Sequence, residues 1–308
     1  MSPFVSSRSR PELWPSLPLQ EWADTYDTLH MWTQIVGKVR MELSPPQNHW
    51  WHVPFYVSAR GLSTTSIPCA AGLVEFEFDF IEHELHVRAS SGLGADLALR
   101  PRSVADFYGE LMGVLRDLRI PVTINVRPQE VPNPIPFDQD TVHASYNPEY
   151  ANRFWRVLLS CNPVFQEFRG RFAGKSSPVH FFWGSFDLAV TRFNGRRAPE
   201  RKGVISREAY SHECSSVGWW PGGGGAVDGP AFYAYHVPEP QGYSQQKVRP
   251  AAAYYHPRLR EFILMYDEVR SSANPESVLM EFLQSTYEAG ATLAKWDRQA
   301  LERQAVAA

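Results

Sequence analysis

Ten histidines are spread through the chain, and five of them, His49, His52, His143, His180 and His212, stand in aromatic or loop-rich surroundings where an imidazole needs a partner. Neutral imidazole is the commonest protein metal ligand. The group therefore suggests a mononuclear iron centre of two histidines and one carboxylate, which leaves positions open for dioxygen and a co-substrate. Asp138, Asp140, Asp187 and Glu213 are the carboxylates nearby in sequence. His212 and Glu213 are neighbours in an expected strand and point to opposite faces, so only one of them enters a given site. His180 and Asp187 also differ in parity, but Gly184 between them can reset the register. Candidate metal ligands are thus His143, His180 and His212, completed by Asp187 or Glu213. Arg192 is placed to hold a carboxylate bidentately, as 2-oxoglutarate or an amino acid would require, and Arg60 occupies a comparable place earlier in the chain. His49, Trp51, His52, Arg60 and Trp183 are the candidate substrate contacts, and Phe182 and Trp219 add apolar walls that exclude water.

Each of these residues also has a purely structural reading. A single histidine is more often a hydrogen-bonded core residue than a ligand, and Asp138-Gln-Asp140-Thr-Val-His143 is equally good turn and capping chemistry. No histidine is followed two residues later by a carboxylate, so the usual barrel-oxygenase signature is missing. No phosphate-loop, dinucleotide or nucleophile-elbow motif occurs. His83, His86 and His256 read as surface residues.

The elements that would position these residues are partly legible. Leu29, Trp32, Ile35, Val36 and Val39 recur at helical spacing and predict a helix over 22–43, capped by Asp24 or Thr25 and stopped at Pro45. Strands are expected over 49–62, 73–80, 84–89 and 121–127. In the second of these Val74, Phe76, Phe78 and Phe80 face inward while Glu75, Glu77 and Asp79 face water. Ser103 caps a further helix. A proline-rich connector follows, then a helix over 148–172 that Pro163 is expected to break. A strand or hairpin over 177–193, strands over 208–220, 231–237 and 261–269, a glycine turn from Gly222 to Gly225 and a helix from Asn274 complete the reading.

The expected fold class is α+β: two related α-β-β-α halves with mainly antiparallel sheets, a possible internal duplication, and the site between them. The match of His49-Trp-Trp-His-Val-Pro-Phe-Tyr with His180-Phe-Phe-Trp-Gly-Ser-Phe-Asp carries that expectation. The organisation reads as a flexible lead-in 1–18, an N-terminal half 19–130, a connector 131–147, a C-terminal half 148–300 and a tail 301–308. Net charge is -3 with 44% hydrophobic residues and 10 Trp, which argues for a large core and against nucleic-acid or membrane partners. Three scattered cysteines and no apolar leader fit a reducing cytoplasm.

The strings TLHMWTQIVGK (28–38), NHWWHV (48–53), PIPFDQDTVHASY (134–146), SPVHFFWGSFDLAVTRF (177–193), EAYSHECSS (208–216) and AFYAYHVPEP (231–240) resemble the bacterial DUF5996 family over nearly the whole chain. The chain is also similar to the non-haem iron enzymes that close nitrocyclopropane rings in belactosin and hormaomycin biosynthesis. That second resemblance implies Fe(II), dioxygen and 2-oxoglutarate as requirements. It also implies an amino-acid derivative, 6-nitronorleucine, as substrate, with hydrogen abstraction followed by ring closure. Two readings from other classes stand beside it. One is a metal-free binding protein whose aromatic cleft stacks a small ligand; the other is a hydrolase or isomerase using His with Asp as general base.

Overall fold

The computed structural model describes residues 12–223 and 226–303. Its first long helix, α1 (Ala23–Leu43), is more deeply placed than an amphipathic stripe would put it: every residue from Thr28 to Arg40 is buried. Its N-cap position is Trp22 and receives no side-chain cap. Thr25 instead accepts the backbone N–H of Asn147 at 3.0 Å. The first sheet follows as β1 (Tyr56–Val57), β2 (Gly61–Ser63), β3 (Ile67–Cys69), β4 (Gly72–Asp79), β5 (Glu84–Ala89) and β6 (Gly94–Ala98). All its pairings are antiparallel, in the order β1-β2-β4-β5-β6 with β3 beside β4. The helix α2 (Val104–Asp117) closes the half, capped by Ser103, whose Oγ accepts from the Asp106 N–H at 3.0 Å.

The second half repeats this plan. It opens with α3 (Pro148–Gly170) and continues with β7 (His180–Phe182), β8 (Asp187–Arg197), a short helix α4 (Val204–Ala209), β9 (His212–Trp220) and β10 (Ala231–Val237). Then come β11 (Tyr254–His256), β12 (Glu261–Met265), the short helix α5 (Tyr266–Arg270), the closing helix α6 (Pro275–Leu293) and α7 (Arg298–Leu301). The sheet is again antiparallel, in the order β7-β8-β9-β10-β12-β11. The α+β class with two sheet halves is therefore what the chain forms.

The two sheets join through their first strands. Phe55 and Phe181 exchange both backbone hydrogen bonds at 2.8 Å. A two-fold through this pair matches Phe55 with Phe181 and hence Pro54 with His180, not His49 with His180 as the aromatic strings suggest. Both phenylalanines are fully buried in the main hydrophobic core, which runs through the two halves.

Several local expectations fail for identifiable reasons. Residues 49–62 are not one strand: His49 and Trp50 take left-handed φ of 59° and 63°, and Pro54 interrupts the ladder. Residues 121–127 form no strand, because their neighbourhood is tied to α1 by side chains instead. Gln34 exchanges two 2.8 Å bonds with the backbone of Gln129, and the Lys38 ammonium donates to the Arg127 carbonyl at 2.7 Å. Helix α3 runs unbroken through Pro163, since the core contacts of Val164, Phe165 and Phe168 outweigh one lost backbone bond. Strand β12 ends at Met265 and β9 begins only at His212. Asp79 is wholly buried, held by Arg60 and by the Ile81 and Glu82 N–H groups. The lead-in is anchored from its middle: Trp14 and Leu17 are buried, and Tyr266 donates to the Pro15 carbonyl at 2.9 Å. Gly224 and Gly225 of the glycine turn, like residues 1–11 and 304–308, lie outside the described residues.

Candidate functional site

Helices α3 and α6 cover one face of the second sheet, and loops cover the other. Strand register sorts the candidates between these faces. Leu188, Val190 and Arg192 of β8 face the helices. Asp187, Ala189 and Thr191 share the loop-covered face with His180 and Phe182 of β7, Ser216 and Gly218 of β9, and Tyr233 and Tyr235 of β10. The turn at Gly184 does bring His180 and Asp187 onto one face. His212 lies on that face as well, and Glu213 lies on the opposite one, bonded to Asn194 and Arg196.

Arg192 is therefore not a 2-oxoglutarate anchor. It is fully buried, its guanidinium 3.4 Å from the Phe168 ring centre and 4.3 Å from that of Tyr287, and it donates to the Phe168 carbonyl. Burial pushes its pKa down to about 9, and its Nε and Nη1 have no partner. A buried cation without a carboxylate is a net cost that well-packed apolar groups relieve. Arg192→Met is accordingly expected to leave stability unchanged or raise it by about 1 kcal/mol, read as an equal or higher melting temperature. A loss of more than about 2 kcal/mol would show that the two cation–π faces dominate.

Arg60 pairs with Asp79 and Glu82 on the first sheet, remote from the other candidates. Trp183 donates to the Val53 carbonyl at 2.9 Å and packs on Gly37, where an added Cβ would meet its indole at 2.4 Å; it is a wedge against α1, not a substrate wall. His52 stacks on Trp50 and accepts the Gln47 N–H. Trp219 is fully buried on the helix side. His86 is engaged by Asp79 and Asp96, and His83 by the Tyr146 hydroxyl at 2.9 Å, so these two are structural rather than free surface residues.

His143 stands apart from His180 and His212, in a more organised setting. Asp140 is fully buried. Its Oδ1 accepts the backbone N–H groups of Val142 and His143 at 3.1 Å each, and its Oδ2 lies 2.7 Å from His143 Nδ1. This fixes the proton on Nδ1 and leaves Nε2 unpartnered on a side chain that is 29% exposed. The loop is itself held by α2, whose first N–H groups, of Val104 and Ala105, donate to the carbonyls of His143 and Asp140 at 3.0 Å.

Opposite His143, α1 presents Asp27 and His30, one turn apart on the same side. The Asp27 carboxyl, on an exposed residue, makes no hydrogen bond; partial desolvation raises its pKa and the nearby His143 draws it back down. His30 donates from Nε2 to the Gly184 carbonyl at 2.9 Å, and burial pushes its pKa down to about 4, so it is neutral. Tyr26 packs edge-on against Phe186 with centres 5.0 Å apart and feels the charges of both Asp27 and Asp187. Burial holds the Asp187 carboxyl above the ordinary range while the Ser185 and Tyr233 hydroxyls donate to it. Tyr233 reaches Asp187 by lying across β9 at Gly218, where a Cβ would fall 2.3 Å from its ring. Glu130 rests against Gly184, and both Glu130 and Glu261 are raised by burial and by Asp187, Glu261 to about 7. These groups comprise one free imidazole nitrogen and a set of carboxyl groups with no paired cation among the described residues, the arrangement in which protons are easily moved.

Metal-ligand geometry is different. Among the described residues one trio of His, Cys, Asp or Glu brings its ligand atoms within 4.8 Å of one another, Glu84, His86 and Asp96. It lies on the outer face of the first sheet, where Arg88 already pairs with Asp96. His143, His180, His212, Asp187 and Glu213 form no such trio: they are divided between two clefts and two faces of the sheet.

Asp27, His30, Tyr26, Tyr233, Glu130 and Glu261 were not legible as site residues. The one usable signal was Asp27-x-x-His30, two titratable groups one turn apart on the first long helix.

The fold defines a class, an α+β protein whose one long antiparallel layer is helix-covered on one side and loop-covered on the other. The chain belongs to DUF5996, a family of unknown function, whose model matches residues 14–303. Comparison with curated proteins and with solved structures gives no match. No helix among the described residues is long and apolar enough to cross a membrane.

Proposed function

We propose that the protein is an enzyme acting on a small molecule by proton transfer, of the hydrolase or isomerase kind, with His143 as the proton carrier. One observation carries this reading: a buried carboxylate, Asp140, holds Nδ1–H of His143 and leaves Nε2 free before an unpaired carboxyl, Asp27. Nε2 takes a proton from the bound molecule. The imidazolium so formed is stabilised by Asp140 behind it and Asp27 before it, and the proton is then returned to another atom. Glu261, raised to about 7, supplies a carboxyl group able to be protonated near neutrality, and burial raises the Asp187 carboxyl in the same direction.

The Fe(II)/2-oxoglutarate reading is kept as a second proposal because His30 and Asp27 are electrostatically coupled to His143 and, with Asp187, include the residue types of an iron triad. The donors as placed supply two free ligands, His143 Nε2 and Asp27. His30 is committed to Gly184, so they do not fit a three-ligand centre. Anaerobic Fe(II) titration followed by 2-oxoglutarate separates the two readings. Proton-transfer chemistry expects no stoichiometric iron and no visible charge-transfer band. Stoichiometric iron, lost in both His143→Ala and Asp27→Ala, would replace it with the oxygenase.

A further inference from the structure

We infer that the loop-covered face holds a second binding site, for a small organic anion, a carboxylate carried on a flat ring, with the carboxylate on the Lys175 ammonium and the ring beside Trp51. It uses none of the residues around His143 and stands independently of the proposed reaction.

The cationic half of the site is uncompensated. Lys175, Arg197 and Arg201 form no ion pair among the described residues. The Lys175 ammonium instead donates to His49 Nε2 at 2.8 Å and stands 5.2 Å over each of the Trp51 and Phe193 ring centres. His49 is the acceptor because its Nδ1–H is turned to the Glu208 and Ala209 carbonyls, at 3.2 and 3.1 Å. One ammonium proton is thus used and the others remain for a ligand. Arg197 lies opposite His212 in the β8–β9 register, and the His212 ring meets His49 at 5.7 Å. Positive groups gathered on one side of a cleft without acidic partners are an anion site in want of its anion.

The other half is a stacking surface. Trp51 is half-buried, with the rings of His49 at 5.3 Å, Phe193 at 6.0 Å and His180 at 6.1 Å around it. His180 is wholly buried and its Nδ1 has no partner, an orphaned donor or acceptor beside the indole. The loop that brings Trp51 here is strained, with His49 and Trp50 both left-handed, a conformation that non-glycine residues adopt at a cost and that clusters at ligand sites. Helix α4 covers the loop, Trp50 donating to the Ile205 carbonyl at 3.3 Å. An ammonium without a carboxylate partner, set among aromatic rings whose edges can meet a ligand ring, selects a planar acid over a compact inorganic anion.

Calorimetric titration of the full chain with indole-3-carboxylate tests this. Saturable binding is expected, weakened about tenfold or more by Lys175→Met and by Trp51→Leu, with no comparable binding of the neutral indole-3-carboxamide. Lys175 is exposed and outside the core, so its variant should melt with the wild type and report binding alone. Absence of binding at about 10 mM ligand, equal binding of the amide, or unchanged affinity in Lys175→Met would each overturn the proposal.

Discussion

Asp140→Ala should be among the most destabilising single substitutions in the loops of this protein, at about 3 kcal/mol. The carboxylate is fully buried and accepts three hydrogen bonds, from the Val142 and His143 backbone and from the His143 imidazole. Its removal deprives two backbone amides and the imidazole of their shared charged acceptor, at about 1 kcal/mol each. The damage spreads to α2, whose first turn is capped by carbonyls of the same loop. His143→Ala removes only the outer member of the pair and should cost no more than about 1 kcal/mol. Melting curves of the two variants therefore separate by several degrees. Equal shifts would mean that Asp140 is not the organiser of the loop and that the orientation of His143 has another source.

Asp187→Asn should do the opposite at alkaline pH. The Asp187 carboxyl is buried, has no cation beside it and shares its surroundings with Glu130 and Glu261. Its folded pKa lies above the unfolded value. The native state therefore binds the extra proton, and the stability this gives is fully present at low pH and lost as pH rises through the folded pKa. Asparagine has the same shape and no such loss. It can still meet the Tyr233 and Ser185 hydroxyls. The variant is expected to gain about 1 kcal/mol over the wild type at pH 8, the advantage shrinking as pH falls. Glu261, held near 7 in part by Asp187, should titrate lower in the variant. If turnover falls while stability rises, the carboxyl is retained for function at the expense of the fold, the usual signature of a working site. A variant less stable than the wild type at pH 8 would show that the hydroxyl donors, not desolvation, set its energy.

Much of the fold was legible because its determinants are local. The alternation Val74-Phe76-Phe78 needs only the two-residue period of a strand, Ser103 shows the expected cap bond, and Asn274, where the last helix was expected to begin, caps it. Gly184 gave the hairpin that puts His180 and Asp187 on one face. What escaped depends on distant partners. The segment 121–127 has strand composition, but the side chains of Gln34 and Lys38 take up the backbone beyond it. Asp79 alternates as a solvent residue and is buried because Arg60 and two loop amides meet it. The candidate site shows the same division. Asp140 and His143 are close in sequence, and their cluster stood out as a loop able to serve a site. Asp27 and His30 become partners of that loop only when α1 is enclosed on all sides. Arg192 was misread because strand parity, invisible without the partner register, turns it toward α3.

The central claim is that His143 moves a proton on a small molecule without a metal. The direct measurement incubates a mixture of bacterial metabolites with the wild-type chain and with His143→Asn, with and without EDTA, and follows consumption by mass spectrometry. At least one compound is expected to be consumed by the wild type, equally with chelator, and spared by the variant. Consumption that survives in His143→Asn, or that requires Fe(II) and 2-oxoglutarate, would contradict it.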